Sequence, residues 1–146
     1  MNIAVQQFML GTVLNSEQQA RQTLCAVTEA GYTGIELCGF MIQPINPVVR
    51  LLTKAAGMPV GKGGKLDWHR LVQDAGLKII SLHLDLDSIE KNVKAAAAEA
   101  RSYHTGYIVI TGMYNFNFGS ETAVHNLAGR LNAVGRMLKD EGIHLL

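Results

Sequence analysis

His83 and Glu36 are the residues of this 146-residue chain whose type and setting best suit acid–base work. His83 closes the apolar run Lys78-Ile79-Ile80-Ser81-Leu82-His83. An imidazole at such a strand end can hydrogen-bond a hydroxyl or carry a proton near neutral pH. The alternative is a ring satisfied by nearby backbone or by Asp85. If the strand continues, His83 and Asp85 share a face; otherwise Asp85 begins the cap of the next helix together with Asp87. Glu36 stands alone among apolar neighbours in Gly34-Ile35-Glu36-Leu37. A lone buried carboxylate is so costly that it must be paired or hydrated. It is either an acid at or just behind a ligand, or one half of a salt bridge. Thr111, followed by Gly112, offers a hydroxyl and backbone donors at the end of Tyr107-Ile108-Val109-Ile110-Thr111.

The elements that must hold these groups follow a recurring junction: an amphipathic helix, a glycine, then a short run rich in Ile, Val and Leu. It appears at Gly31 before Gly34-Ile35-Glu36-Leu37, at Gly76 before Lys78–His83, at Gly106 before Tyr107–Thr111, and at Gly142 before Ile143. Glycine is favoured just past a helix end because it accepts the left-handed conformation. The runs that follow lack clean alternation, as strands covered on both faces do.

Helical stripes precede each junction. Ala20, Leu24 and Val27 follow a Ser16/Gln19 capping box, and Leu71, Val72 and Ala75 follow Asp67. Ile89, Val93, Ala96, Ala97 and Ala100 predict one helix capped by Asp87 or Ser88. Ala123, Leu127, Leu131, Val134 and Leu138 predict a long helix from Ser120. With Ile3-Ala4-Val5 as an opening strand, the order is an alternating α/β series, which implies a parallel sheet with right-handed crossovers. Residues 38–65 break the rhythm: they hold all three prolines, a short helical turn around Val48–Ala55, and the tip Gly61-Lys62-Gly63-Gly64-Lys65.

Two architectures fit such a series. One is a compact doubly wound, flavodoxin-like domain. The other is a (β/α)8 TIM barrel, of which this chain would cover about the first four βα units and the start of strand five, as a single domain over residues 1–146. No covering helix follows Leu146, no G-x-G-x-x-G turn or acidic cluster follows the first strand, and polar groups recur at strand ends. These three features favour the barrel. The apolar finish Gly142-Ile143-His144-Leu145-Leu146 reads as a chain ending inside an element.

The phrases Glu29-Ala30-Gly31-Tyr32-Thr33-Gly34-Ile35-Glu36-Leu37 and Ala75-Gly76-Leu77-Lys78-Ile79-Ile80-Ser81-Leu82-His83 resemble the xylose isomerase-like barrel superfamily, in its sugar phosphate isomerase/epimerase branch. Val5-Gln6-Gln7-Phe8 and Lys139-Asp140-Glu141-Gly142-Ile143 extend the resemblance along the chain. It implies an enzyme that moves a proton between adjacent carbons of a small carbohydrate, polyol or sugar phosphate. His83 would be catalytic, and Glu36, His83, Thr111 and Phe8 would bind substrate. It also implies a divalent metal (Mn, Mg, Zn or Co) in the full-length parent, held by two glutamates, an aspartate and a histidine at the ends of strands five to eight. Those ligands fall outside an amino-terminal half, so this chain alone is expected to bind no metal and to be inactive. Glu36 would then either meet substrate or pair with a residue of the missing half. The related endonuclease branch places a metal-binding histidine near the end of strand four. Thr111-Gly112-Met113-Tyr114 has none, which argues against phosphodiester cleavage.

Other motifs carry less. Gly57-Met58-Pro59-Val60-Gly61-Lys62-Gly63 fails as a phosphate loop on both its spacing and its last residue, and reads as a flexible lid. Its Lys62 and Lys65, with Lys54, Arg50 and Arg70, either attract a phosphorylated sugar or form a solvated charged surface. Tyr114, Phe116 and Phe118, between asparagines, either wall a sugar pocket or pack against a partner chain. His69, His104 and His125 fall on helices or their ends and suggest no chemistry.

Composition narrows the classes. Hydrophobic residues make up 48% and charged residues 17%, too apolar for disorder. Thirteen Lys and Arg against twelve Asp and Glu leave a net +1, with no pull toward nucleic acid or anionic membrane. No run spans a bilayer, and Cys25 and Cys38 form no motif, so a reduced, cytoplasmic setting is expected. An incomplete barrel also leaves two strand edges open. A non-catalytic, self-associating half-barrel is therefore the alternative to an enzyme, and a homo-oligomer, or a complex with the missing carboxyl-terminal half, is expected.

Overall fold

The computed structural model describes residues 2–43, 47–55, 57, 66–110, 112–113 and 116–146, without the side chains of residues 12, 13, 49, 50 and 53. Five strands form one sheet: β1 Ala4–Gln6, β2 Gly34–Cys38, β3 Lys78–His83, β4 Tyr107–Val109 and β5 His144–Leu145. They lie in chain order, β1-β2-β3-β4-β5. The β1–β2 ladder is parallel, with Ala4 opposite Gly34 and Gln6 opposite Glu36. So is the β4–β5 ladder, with Tyr107 opposite His144. A flavodoxin-like sheet reverses its winding and has order 2-1-3-4-5. Strict chain order means that every crossover steps the same way, as around a barrel wall. The doubly wound reading is thereby replaced by a partial barrel.

The chain divides into two compact units, Met1–Leu82 and His83–Leu146. In the first, β1 runs into the single turn α1 (Gln7–Leu10) and a 3-10 turn. Helix α2 (Glu17–Glu29) follows, with Ser16 accepting the Gln19 N–H at 3.3 Å as the capping box predicts. After β2 come α3 (Gly39–Ile42), α4 (Pro47–Ala55) and α5 (Trp68–Asp74), the last capped by Asp67. Helices α2 and α5 bury Leu24, Leu71 and Val72 and are tied together by Arg21 to Asp74 (2.7 Å) and Arg70 to Glu17 (2.7 Å). Helix α4 carries exposed Val48, Leu51 and Leu52. Gly34 sits where a Cβ would come within 2.8 Å of Ile80 Cγ2 and 3.2 Å of the Lys78 carbonyl.

In the second unit, the predicted single helix from Asp87 is two: α6 (Leu86–Lys91), capped by Asp85, and α7 (Val93–Ser102), capped by Asn92. Asn92 is extended (φ −158°), and its side chain accepts the Ala95 N–H at 3.0 Å. Helix α8 (Glu121–Asp140) starts after Ser120 as expected. Leu86, Ile89, Ala97, Ile108, Val134, Leu138 and Ile143 form this unit's core. Arg130 on α8 reaches Glu90 at 2.7 Å and also Asp87.

The junction glycines behave as read at Gly31, Gly76 and Gly142, all at positive φ. The third junction differs. There His104, not Gly106, takes the left-handed position (φ 56°), because α7 ends at Ser102 and the reversal comes one residue after its Tyr103 cap.

Candidate functional site

The carboxyl end of each strand is where this topology presents its loops. In the first unit, Gln7 and Phe8 follow β1 and Cys38 ends β2. Gln7 is fully buried, and its side-chain carbonyl accepts the Cys38 N–H at 2.8 Å. That bond sets the amide's orientation and leaves the Gln7 Nε2 with no partner among the described residues. The Cys38 thiol is buried as well. Burial pushes it up to about 11, the negative charge of Glu36 adds to this, and a hydrogen bond with the Phe8 backbone works the other way.

Glu36 is half-buried and accepts the Ser81 hydroxyl at 3.2 Å. Its isolation in the sequence is therefore relieved by a strand neighbour on β3. Phe8 meets Phe40 edge to face, with ring centroids 6.0 Å apart. Phe8, Glu36 and Ser81 all belong to the first unit.

His83 opens the second unit and is 6% exposed. The backbone runs on, Leu84 N–H donating to the Val109 carbonyl at 3.1 Å. Asp85 turns to the helix, accepting the Ser88 N–H at 2.8 Å as the cap of α6. Phe116 and Phe118 stack edge to face at 4.7 Å in the segment after β4. Thr111, Tyr114 and the lysine-bearing tip lie outside the described residues. His69 lies on α5, and His104 and His125 are exposed.

Sequence reasoning missed Gln7 and Ser81. The one available signal was position: each is a polar residue at or near a strand's carboxyl end. Among the described residues, no three His, Cys, Asp or Glu side chains are grouped so as to hold a metal ion. Also among the described residues, no helix is long and apolar enough to cross a membrane.

Strands in chain order, with polar groups at their carboxyl ends, define a partial barrel, and solved structures give that class its relatives. A sugar phosphate isomerase/epimerase from Parabacteroides distasonis superposes with a TM-score of 0.66 at 21% identity, over 99% of this chain and 53% of its own. A xylose isomerase-like TIM barrel protein from Mycobacterium smegmatis, solved in complex with magnesium, matches with a TM-score of 0.58 at 18% identity, over 99% and 53%. The probable 3-DHS dehydratase AsbF from Bacillus anthracis matches with a TM-score of 0.59 at 14% identity, over 100% and 51%. The chain thus spans about half the length of the solved proteins it matches. At these identities the likeness establishes the fold alone, a partial (β/α)8 barrel. No protein-family model matches the chain, and no curated protein does.

Proposed function

We propose that this chain is one half of a sugar or sugar phosphate isomerase/epimerase barrel, and that its 146 residues form a single amino-terminal domain. The observation that carries the reading is His83, buried at the carboxyl end of the third strand of a sheet in strict chain order. Such strand ends are where barrel enzymes place their chemistry.

In this reading the imidazole takes a proton from one carbon of a small carbohydrate, or holds the hydroxyl beside it. Glu36, oriented by Ser81, accepts from a substrate hydroxyl, Thr111 donates to one, and Phe8 against Phe40 supplies an apolar wall. A divalent metal in the parent would be held by residues beyond this half and would supply Lewis-acid chemistry at the sugar carbonyl. The chain alone is accordingly inactive. It works in the cytoplasm, as a homo-oligomer or joined to the missing half.

Aldose–ketose interconversion and epimerisation of a sugar and sugar phosphate panel with added Mn²⁺ test the proposal. The chain alone should give no turnover, whereas complementation with the second half of a barrel of this fold should restore it. His83→Ala should then cost roughly 100-fold or more in kcat, the size of a lost general acid–base. Turnover by the lone chain would sink the placement of the metal ligands outside it. A complemented His83→Ala form of full activity would remove His83 from the chemistry.

A further inference from the structure

We propose that Gln7 is a substrate-binding residue, whose side-chain N–H₂ group donates a hydrogen bond to an oxygen of the bound sugar at the carboxyl end of β1. The assignment rests on the sugar reading above and adds a contact to it.

Gln7 is the first residue after β1 and opens the turn α1. Its side chain is fully buried, yet only half of its amide is matched. The carbonyl oxygen accepts the Cys38 N–H at 2.8 Å. Nε2 meets no acceptor among the described residues and is shielded from water. Turning the amide over brings no relief. It would set Nε2 against the Cys38 N–H, donor against donor, and strand the oxygen instead. A buried donor without a partner is costly, and native folds seldom keep one without a reason.

The open edge of β1 does not supply that reason. The Cys38 bond places the carboxamide toward β2, the paired neighbour of β1. Residues of this chain alone already enclose it. The missing acceptor is therefore one that arrives. Access calls for a small movement only, because α1 is four residues long and has no side-chain cap. Such turns open locally at little cost.

The surroundings select a neutral, hydroxylated molecule. The Cys38 thiol is itself hydrogen-bonded to the Phe8 backbone, so two bonds clamp the end of β1 to the end of β2. Phe8 meets Phe40 with ring centroids 6.0 Å apart, and Phe40 is 40% exposed. An apolar wall thus stands next in sequence to the unmet donor, the pairing that pockets for small molecules use. Recognition of a phosphate group draws on Arg and Lys, and neither residues 2–20 nor residues 34–49 contain one. Hydroxyl oxygens of a sugar meet the amide without needing a cation.

Proton–nitrogen correlation spectra of the whole nitrogen-15-labelled chain, with the Gln7 side-chain N–H₂ pair assigned, test the proposal. Titration with D-fructose should move that pair downfield, as a new acceptor requires, and inorganic phosphate should leave it in place. Gln7→Met, similar in bulk but unable to donate, should weaken D-fructose binding about tenfold or more, the size of one lost hydrogen bond. Circular dichroism checks that this variant folds, and the titration of the unaltered chain decides the matter if it does not. Movement of the Phe8 and Glu36 signals while the Gln7 amide stays still would overturn the assignment and leave the sugar reading standing. A spectrum in which nothing moves would overturn both. A response to phosphate but not to D-fructose would overturn the proposal in favour of an anion site. A cross-relaxation peak between the Gln7 amide and a long-lived water in the sugar-free chain would overturn it in favour of a structural water.

Discussion

Cys38 shows how much of a side chain's chemistry is set by its neighbours. Its thiol is buried beside a carboxylate, which holds it near 11, well above an ordinary cysteine. Only the thiolate is nucleophilic, so at pH 8 Cys38 should react with iodoacetamide about a hundredfold more slowly than an ordinary thiol. Cys25, which is exposed, should be the site modified, and peptide mapping reads this directly. The same shift makes stability depend on pH. The fold favours the neutral thiol, while the unfolded chain ionises near the ordinary value of 9.0. The stabilisation is therefore complete below that pH and is lost as the pH climbs toward 11. Cys38→Ala should flatten this alkaline decline in urea titrations. At Glu36, Ser81→Ala removes the observed donor and should lower stability by about 1 kcal/mol. Glu36 and His83 were visible in the sequence because a charged or titratable residue stands out in an apolar run. Ser81 and Gln7 were not, since their partners lie on other strands and only the register decides who meets whom.

Elements were legible wherever a cap and a stripe agreed. Ser16 with α2, Asp67 with α5 and Ser120 with α8 each begin where the side chain accepts the first free N–H groups. The α6–α7 boundary was hidden because the alanine-rich stripe runs across it without a change of period, although Asn92, a residue that favours N-caps over helix interiors, marked the place. Its role as cap gives a prediction. Asn92→Ala should cost about 1 kcal/mol and Asn92→Gly only a few tenths, seen as a lower urea midpoint with an unchanged slope. Gly34 makes the opposite point, for there a residue is small because strands approach. Gly34→Ala would press a methyl against Ile80 and the Lys78 carbonyl. The Ile80 methyl can yield but the carbonyl cannot, and the expected loss is about 1–3 kcal/mol.

For the whole molecule, the alternation of helix, glycine and strand was enough to identify a parallel βα series, and the strand order chose the partial barrel over its competitor. The alternation alone could not separate the two, because a doubly wound sheet is built from the same right-handed βα units and differs in the side of the sheet to which each next strand is added. In the described sheet, β1 and β5 each have a strand on one side only. Exposed Ile3 stands just before β1, exposed Met9 on α1 after it, and exposed Leu146 beside β5. Open edges beside apolar side chains pair readily. Multi-angle light scattering at micromolar concentration should therefore find a dimer or larger assembly, and Ile3→Lys should shift it toward smaller species. A stable monomer would contradict the expectation.

Strict chain order bears on how the molecule is made. Ala4 waits for Gly34, and Tyr107 for His144, so neither of these ladders needs a segment from the far end of the polypeptide. Pairing successive strands avoids the longer loop closures that pairing distant ones would need, and the closure cost grows with loop length. During synthesis the leading strand can find its neighbour while the trailing helices are still in the ribosome, and the molecule can assemble stave by stave in the order in which it is translated.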